Sequence, residues 1–284
     1  MSDKNFDYAT AFSRNIGWLT PQEQNLLKTK RIAIAGLGGV GGSHLLALAR
    51  LGVGAFHIAD LDVFELANFN RQAGASLHHI NRPKVDVLAE MALDINPSLD
   101  IRRFPQGINQ ANLAAFLIGV DVYVDGLDFF AFNARKAVFA ACHDLGIPAV
   151  TAAPLGMGAA LLSFMPGGMS FEEYFQWAGC SEAEQALRFL VGLAPSGLHG
   201  AYLVDPSSID LAGKKGPSTV MGCELCAGVT ATEVLKILMQ RGRVYSAPYS
   251  QQFDAYTNRF KRVWLPGGNR NPLQKIKLHL MRNR

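Results

Sequence analysis

The sequence predicts an α/β fold: a mixed, mostly parallel sheet flanked by helices, with a C-terminal antiparallel extension. Three observations support this. Short apolar runs alternate with amphipathic helical patterns, the rhythm of strand–helix–strand units. A glycine cluster joins the first apolar run to the first long helical pattern. Near the end, two alternating runs flank a turn.

RIAIAG (Arg31 to Gly36) reads as the first strand and AFHIAD (Ala55 to Asp60) as the second, with a helix from Gly39 to Leu51 between them. Pro83, at a first helical position, opens a helix through about Ile95, and Pro97 stops it. DVYVDG (Asp121 to Gly126) is a buried strand; a helix to about Leu145 follows, then the strand PAVTAAP, ending near Pro154. GAALLSFMPGG (Gly158 to Gly168) begins a less regular region reaching about Pro217, in which Phe171, Tyr174, Phe175 and Trp177 read as core aromatics. Gly213 to Thr219 (GKKGPST) has the composition of a mobile loop. Helical spacing returns from Cys223 to Gln240, and SQQFDAYTN and RFKRVWLPG form a hairpin around Thr257-Asn258. The basic last fifteen residues, with Arg270, Lys275, Lys277, Arg282 and Arg284, read as a solvated end.

Hydrophobic residues make up 49% of the chain and charged ones 18%, which excludes a disordered class. A net charge of +4 over 284 residues does not call for a nucleic-acid surface, so an anionic ligand has to be recognised locally. No apolar run is long enough to span a bilayer, and the polar start lacks a signal-peptide core, so the expectation is a cytoplasmic protein without membrane contact. Cys142, Cys180, Cys223 and Cys226 are too few and too scattered for a disulfide framework.

Gly36-Leu37-Gly38-Gly39-Val40-Gly41 has the setting of a Rossmann-like phosphate turn. Gly36 permits the tight turn, Gly38 and Gly39 let backbone N–H groups approach a phosphate, and Gly41 lets the helix pack on the strand. The helix N-terminus adds partial positive charge. Asp60, nineteen residues after Gly41, is placed for ribose hydroxyls. Alone, this fingerprint fits a nicotinamide or flavin dinucleotide as well as ATP. The loop after Asp60 favours ATP: Asp62, Asn68, Asn70, Arg71 and Gln72 crowd together, and Lys84 follows at a helix start. Arg71 has the reach for bidentate contact with phosphate oxygens, Lys84 acts as a point charge, and Asn68 and Asn70 fix the loop or the ribose. The alternative is a solvated polar loop.

GLGGVG, D-x-D, N-x-N-R-Q and R-P-K (Arg82 to Lys84) together resemble the ThiF/MoeB family of ubiquitin-activating-enzyme-like adenylyltransferases. The resemblance runs from about Arg14 to Pro154 and, more loosely, through ATEVLKIL (Ala231 to Leu238). It implies an ATP-binding nucleotidyltransferase that converts a carboxylate into an acyl-adenylate. Asp60 is then the ribose ligand, Arg71 and Lys84 the triphosphate cations, and Asp128 the Mg2+ ligand. Arg14 reaches the nucleotide of the partner subunit in a homodimer. Read without the resemblance, Asp128 is as well suited to cap the next helix, and Arg14 is a surface residue. The resemblance further implies one adenylation domain over 1–284: an N-terminal helical arm (1–30), a nucleotide-binding half (31–155), and a substrate and dimerisation half (156–284) with an irregular crossover at about 164–220. The substrate is expected to be the C-terminus of a ubiquitin-like or sulfur-carrier protein, or a peptide. A tRNA threonylcarbamoyladenosine dehydratase is the alternative, with tRNA as partner; a catalytically reduced nucleotide-binding relative is another.

The chain departs from the family in two places. Its single C-x-x-C pair, Cys223 and Cys226, offers two ligands where structural zinc takes four, so zinc is not expected. Phe129 stands after Asp128 where the family usually has asparagine. Cys180, Cys223 and Cys226 are the candidates for an acyl-accepting thiol.

Overall fold

The computed structural model describes residues 6–210, 213 and 216–282. In chain order the elements are α1 (Tyr8–Ala11), α2 (Pro21–Leu27), β1 (Arg31–Ala35), α3 (Gly39–Leu51), β2 (Ala55–Ala59), α4 (Lys84–Ile95), β3 (Asp100–Phe104), α5 (Leu113–Leu117), β4 (Val122–Asp125), α6 (Phe132–Leu145) and β5 (Ala149–Leu155). There follow β6 (Gly158–Phe164), α7 (Phe171–Phe175), α8 (Glu182–Leu193), α9 (Val220–Met239), β7 (Tyr249–Asp254), β8 (Arg259–Trp264) and α10 (Pro272–Arg282). The strands form one sheet in the order β3-β2-β1-β4-β5-β6-β7-β8. Neighbours from β3 to β5 are parallel, and those from β5 to β8 antiparallel.

The chain winds outward from β1 to β3, then returns to place β4 on the other side of β1. This reversal opens a crevice between the carboxyl ends of β1 and β4, the position at which open α/β sheets hold ligands. The strands flanking it are apolar throughout because both faces are covered. Ile32, Ile34, Val122 and Val124 pack with Leu45, Leu48, Leu88 and Val234 under α3, α4 and α9. On the other face Ala33, Ala35 and Tyr123 meet Phe139, Phe171, Phe175 and Trp177. Phe171, Tyr174, Phe175 and Trp177 are core aromatics, as the sequence suggests. Each fully buried side chain of this size contributes roughly 1.5–3 kcal/mol, so the two faces hold the crevice rigidly.

Four expectations are corrected. Gly158 to Phe164 is not irregular: it is a fully buried strand at the turn from parallel to antiparallel pairing. A short apolar run has no period to betray it, and the Pro and Gly that follow belong to the turn beyond. Within the region read as irregular lies α7, capped by Ser170, whereas α8, capped by Ser181, matches the helical pattern that follows Cys180 in the sequence. Pro83 is the N-cap rather than the first residue of its helix. The basic tail is α10, whose Leu278 and Gln274 are buried, with Gln274 Nε2 donating to Val191 O of α8 at 3.0 Å. Of the expected mobile loop, Lys214 and Lys215 lie outside the described residues, as does Arg284. Among the described residues no helix is long and apolar enough to cross a membrane.

His44 of α3 is fully buried with neither ring nitrogen hydrogen-bonded, and burial pushes its pKa down to about 3. The folded chain refuses a proton that the unfolded chain takes near pH 6.5. Its contribution is therefore present above that pH and lost on acidification. Between pH 6.5 and about 4, the slope is about 1.4 kcal/mol per pH unit. His44→Leu should flatten the acid limb of stability by that amount, as read by urea unfolding at several pH values; an unchanged slope would mean that water or motion lets the imidazole protonate in place.

Candidate functional site

β1 ends at Ala35, and the chain turns at Gly36 with φ +81°. A Cβ on Gly36 would lie 2.2 Å from Gly126 O, and one on Gly41 would lie 1.8 Å from Gly36 O. The two crevice loops therefore interlock backbone to backbone, with Gly126 N–H donating to Ala35 O at 2.8 Å. Gly126 belongs to the turn as much as the glycines named from sequence. α3 starts at Gly39, and its N-cap, Gly38, brings no side chain to the first N–H groups. Those groups and the helix dipole suit an anion.

Asp60 follows β2 and is buried. Its Oδ2 accepts from Leu37 N–H at 2.6 Å and its Oδ1 from Asp62 N–H at 2.8 Å. Burial pushes its pKa up, while those two amide bonds pull it back. Asp60 thus ties the glycine turn to β2, and a carboxylate still has acceptor capacity for a ribose hydroxyl.

The loop after β2 crosses the turn. Asn68 Oδ1 accepts from Glu65 N–H at 2.9 Å and fixes the loop's short 3-10 turn. Asn70 Nδ2 donates to Ser218 O at 3.0 Å, linking the loop to the start of α9. Arg71 donates from Nη1 to Asn70 Oδ1 and Ala67 O, and its Cγ and Cδ pass 3.7 and 3.8 Å from where a Gly39 Cβ would be. Gln72 is buried, with Nε2 3.8 Å from the Cβ position of Gly38 and Oε1 without a partner. Lys84 is only 5% exposed, and its ammonium meets Asp62 Oδ2 at 3.1 Å. Lys84, Asp62 and Asn68 line an open cavity of about 390 Å³ with Leu61, Val63 and Glu65.

Across the crevice, Asp128 is exposed, and its Oδ1 accepts from Phe130 N–H at 2.9 Å. It closes a turn in the loop and does not cap α6, whose N-cap is Ala131. Among the described residues no three His, Cys, Asp or Glu side chains gather as a metal cage. One exposed carboxylate nevertheless fits Mg2+, which usually takes one or two carboxylates and fills its octahedron with phosphate oxygens and water.

Arg14 lies at the other end of α3. Its neighbour Asn15 donates to Leu51 O at 3.1 Å, and the 13 residues of α3 separate that end from the glycine turn, roughly 20 Å at 1.5 Å per residue. Within one chain Arg14 does not meet the turn. Cys180 is half-buried just before α8, with Sγ 3.5 Å from Gln176 O. Cys223 and Cys226 are buried, and burial pushes both thiols up. This runs against an acyl-accepting role for either one, since attack needs an accessible thiolate. Cys223 is a floor for the turn, its Sγ 3.0 Å from the Cβ position of Gly39.

An open sheet with a switch-point crevice and a glycine turn opening α3 defines the class as a Rossmann-type α/β protein. Residues 12–274 match the model of the ThiF family, and the chain belongs to that family. It is 33% identical over 143 residues to the sulfur carrier protein ThiS adenylyltransferase of Escherichia coli (strain K12), covering 50% of this chain and 56% of that one. To the tRNA threonylcarbamoyladenosine dehydratase of Bacillus subtilis (strain 168) it is 31% identical over 150 residues, 52% of this chain and 57% of that one. The chain thus spans little more than half the length of either relative. The crystal structure of E. coli MccB with ATP superposes with a TM-score of 0.68 at 19% identity, over 93% of this chain and 74% of that one, a likeness of fold.

Proposed function

We propose that the chain is an ATP-dependent adenylyltransferase that activates a carboxylate, the C-terminus of a ubiquitin-like or sulfur-carrier protein or of a peptide, as an acyl-adenylate. What supports this reading is a helix N-terminus built for phosphate with the Arg71 stem passing beside Gly39 and the buried Lys84 ammonium acting on Asp60 nearby, more cationic charge than a dinucleotide's diphosphate calls for. The resemblance to the ThiS adenylyltransferase supports it.

A carboxylate is ionised at neutral pH and needs no strong base. Its oxygen attacks the α-phosphorus of ATP, and the bond from that phosphorus to the β-bridging oxygen breaks. The electron pair leaves with pyrophosphate. Arg71 and Lys84 neutralise the charge that builds on the leaving group, while the Gly38–Gly41 amides hold the phosphates in line. As phosphate arrives, Lys84 exchanges its contact with Asp62 for one with an oxygen of higher charge. Asp128 would hold Mg2+, which would supply further neutralisation of the phosphate charge. Asp60 holds the ribose through the lone pairs its amide bonds leave free. The chemistry takes place in the cytoplasm.

Because Arg14 is remote from the turn of its own chain, it acts on the nucleotide of a second copy in a homodimer. Arg14→Ala and Lys84→Ala, each inactive alone, should on equal mixing and exchange of subunits recover about a quarter of wild-type activity, since half the dimers would carry one intact site of two. No recovery, with exchange of subunits shown by mass, would rule out the shared site.

ATP–pyrophosphate exchange with candidate carriers, peptides and tRNA tests the substrate class. Exchange that needs a carrier or peptide carboxylate supports the proposal. Exchange that needs tRNA instead would favour the dehydratase reading, to which the chain's net charge of +4 gives only weak support.

A further inference from the structure

Beneath the loop that carries Asp128 lies a buried charge that the proposed chemistry leaves unused. Arg135, in the first turns of α6, is 2% exposed, and its Nε donates to Asp125 Oδ2 at 2.8 Å. Asp125 also accepts from Thr151 Oγ1 at 2.9 Å and Leu127 N–H at 3.2 Å, with the Tyr123 hydroxyl at 3.3 Å. The rest of the guanidinium collects three successive backbone carbonyls. Nη2 donates to Leu127 O at 2.7 Å and Asp128 O at 3.0 Å, and Nη1 to Phe129 O at 3.1 Å. One face of the guanidinium lies 4.6 Å from the ring centre of Phe189, which in turn sits 5.2 Å from that of Phe129.

Burying an Arg–Asp pair is expensive, and well-packed apolar side chains would hold α6 to the sheet as well or better. A planar fork of donors does something apolar side chains cannot: it fixes the path of a short loop by its carbonyls. Leu127, Phe129 and Phe130 also pack against the core, and Ala131 N–H donates to Asp128 O at 3.0 Å, but those contacts fix side chains and one carbonyl, whereas Arg135 binds three carbonyls in a row. Asp128 adds its bond to Phe130 N–H, and the far end of the loop is Gly126, locked to the glycine turn. We propose that Arg135 is a positioning residue: it sets the backbone from which the Asp128 carboxylate meets the divalent cation on the nucleotide. This rests on the reading of Asp128 given above and extends it to the group that holds Asp128 in place.

The test uses the full chain, ATP, and Mn2+ as the probe metal. Calorimetry gives the affinity for ATP with and without Mn2+, and the ratio measures how far the metal tightens binding. Arg135→Lys keeps a charge beside Asp125 but cannot span three carbonyls. It should cut the tightening about 10-fold, the usual scale for removing a group that orients a metal ligand, and leave metal-free ATP affinity within about 2-fold. Asp128→Asn should remove the tightening, and the double variant should lose no more than Asp128→Asn alone, because both act through one carboxylate.

Unchanged tightening in Arg135→Lys, or losses that add in the double variant, would overturn the proposal. So would an Asp128→Asn variant that keeps the tightening. If Arg135→Lys fails to fold, Phe189→Leu, which withdraws the brace and spares the ion pair, takes its place: a smaller loss of the same sign is expected, and no loss would overturn the proposal. Wild-type protein that shows the tightening but no pyrophosphate exchange with any carboxylate would defeat the adenylation reading and leave this one standing.

Discussion

Lys84→Ala is expected to lower ATP–pyrophosphate exchange by at least ~100-fold, the usual scale for loss of a charge-stabilising donor, while the protein stays folded. The side chain is 5% exposed, so little water screens its charge. Two unit charges about 4 Å apart interact by about 4 kcal/mol at the effective dielectric typical of such sites, or nearly three powers of ten in rate. Removing the ammonium does more than subtract that attraction. Asp62, now 3.1 Å from Nζ, would be left as an unneutralised carboxylate beside the incoming phosphates. Arg71→Ala should also cost at least ~100-fold, but less than Lys84→Ala, since Arg71 is partly solvated and shares its donors with Ala67 and Asn70. Near-normal exchange in either variant, with melting unchanged, would remove that residue from the mechanism.

Gly41→Ala should abolish ATP binding and destabilise the chain by about 1–3 kcal/mol or more, the cost of forced overpacking. The added Cβ would sit 1.8 Å from Gly36 O, a backbone atom pinned in turn against Gly126. No side chain can step aside, so the turn itself has to open. Gly39→Ala should be milder: the nearest atom, Cys223 Sγ at 3.0 Å, belongs to a side chain that can yield a little. Gly228→Ala is the control, since nothing lies within 4 Å of its added methyl in α9; it should be neutral or stabilising by up to about 1 kcal/mol. Melting curves and ATP titrations of the three together check the ordering, and a Gly41→Ala protein that binds ATP normally would contradict the interlocked geometry.

The contrast among these glycines shows which parts of the site the sequence could disclose. The β1 run, the glycine spacing and Asp60 are local signals, since a phosphate turn needs those residues at that spacing whatever surrounds them. Gly126 carries no such mark, because its reason for being glycine is Gly36, ninety residues away. Arg135 and Asp125 look in sequence like surface charges of a helix and a strand end, and only the fold reveals that each is buried on the other. β3 went unrecognised because an edge strand paired on one side can carry Asp100, Arg102 and Arg103 and lose its apolar pattern. β6 was mistaken for the opposite reason: an unbroken apolar run, buried on both faces, has no alternation to read. The position of Arg14 at the far end of α3 likewise depends on tertiary docking, through Asn15 and Leu51.

The central claim is that the polyphosphate of ATP settles at the switch point between β1 and β4, held by turn amides, Arg71 and Lys84. Isothermal titration of the purified protein with magnesium-ATP, and separately with NAD, tests it most directly. The expected result is saturable binding of magnesium-ATP that weakens sharply in Lys84→Ala, with NAD much weaker. Tight NAD binding alongside no detectable heat from magnesium-ATP would contradict it.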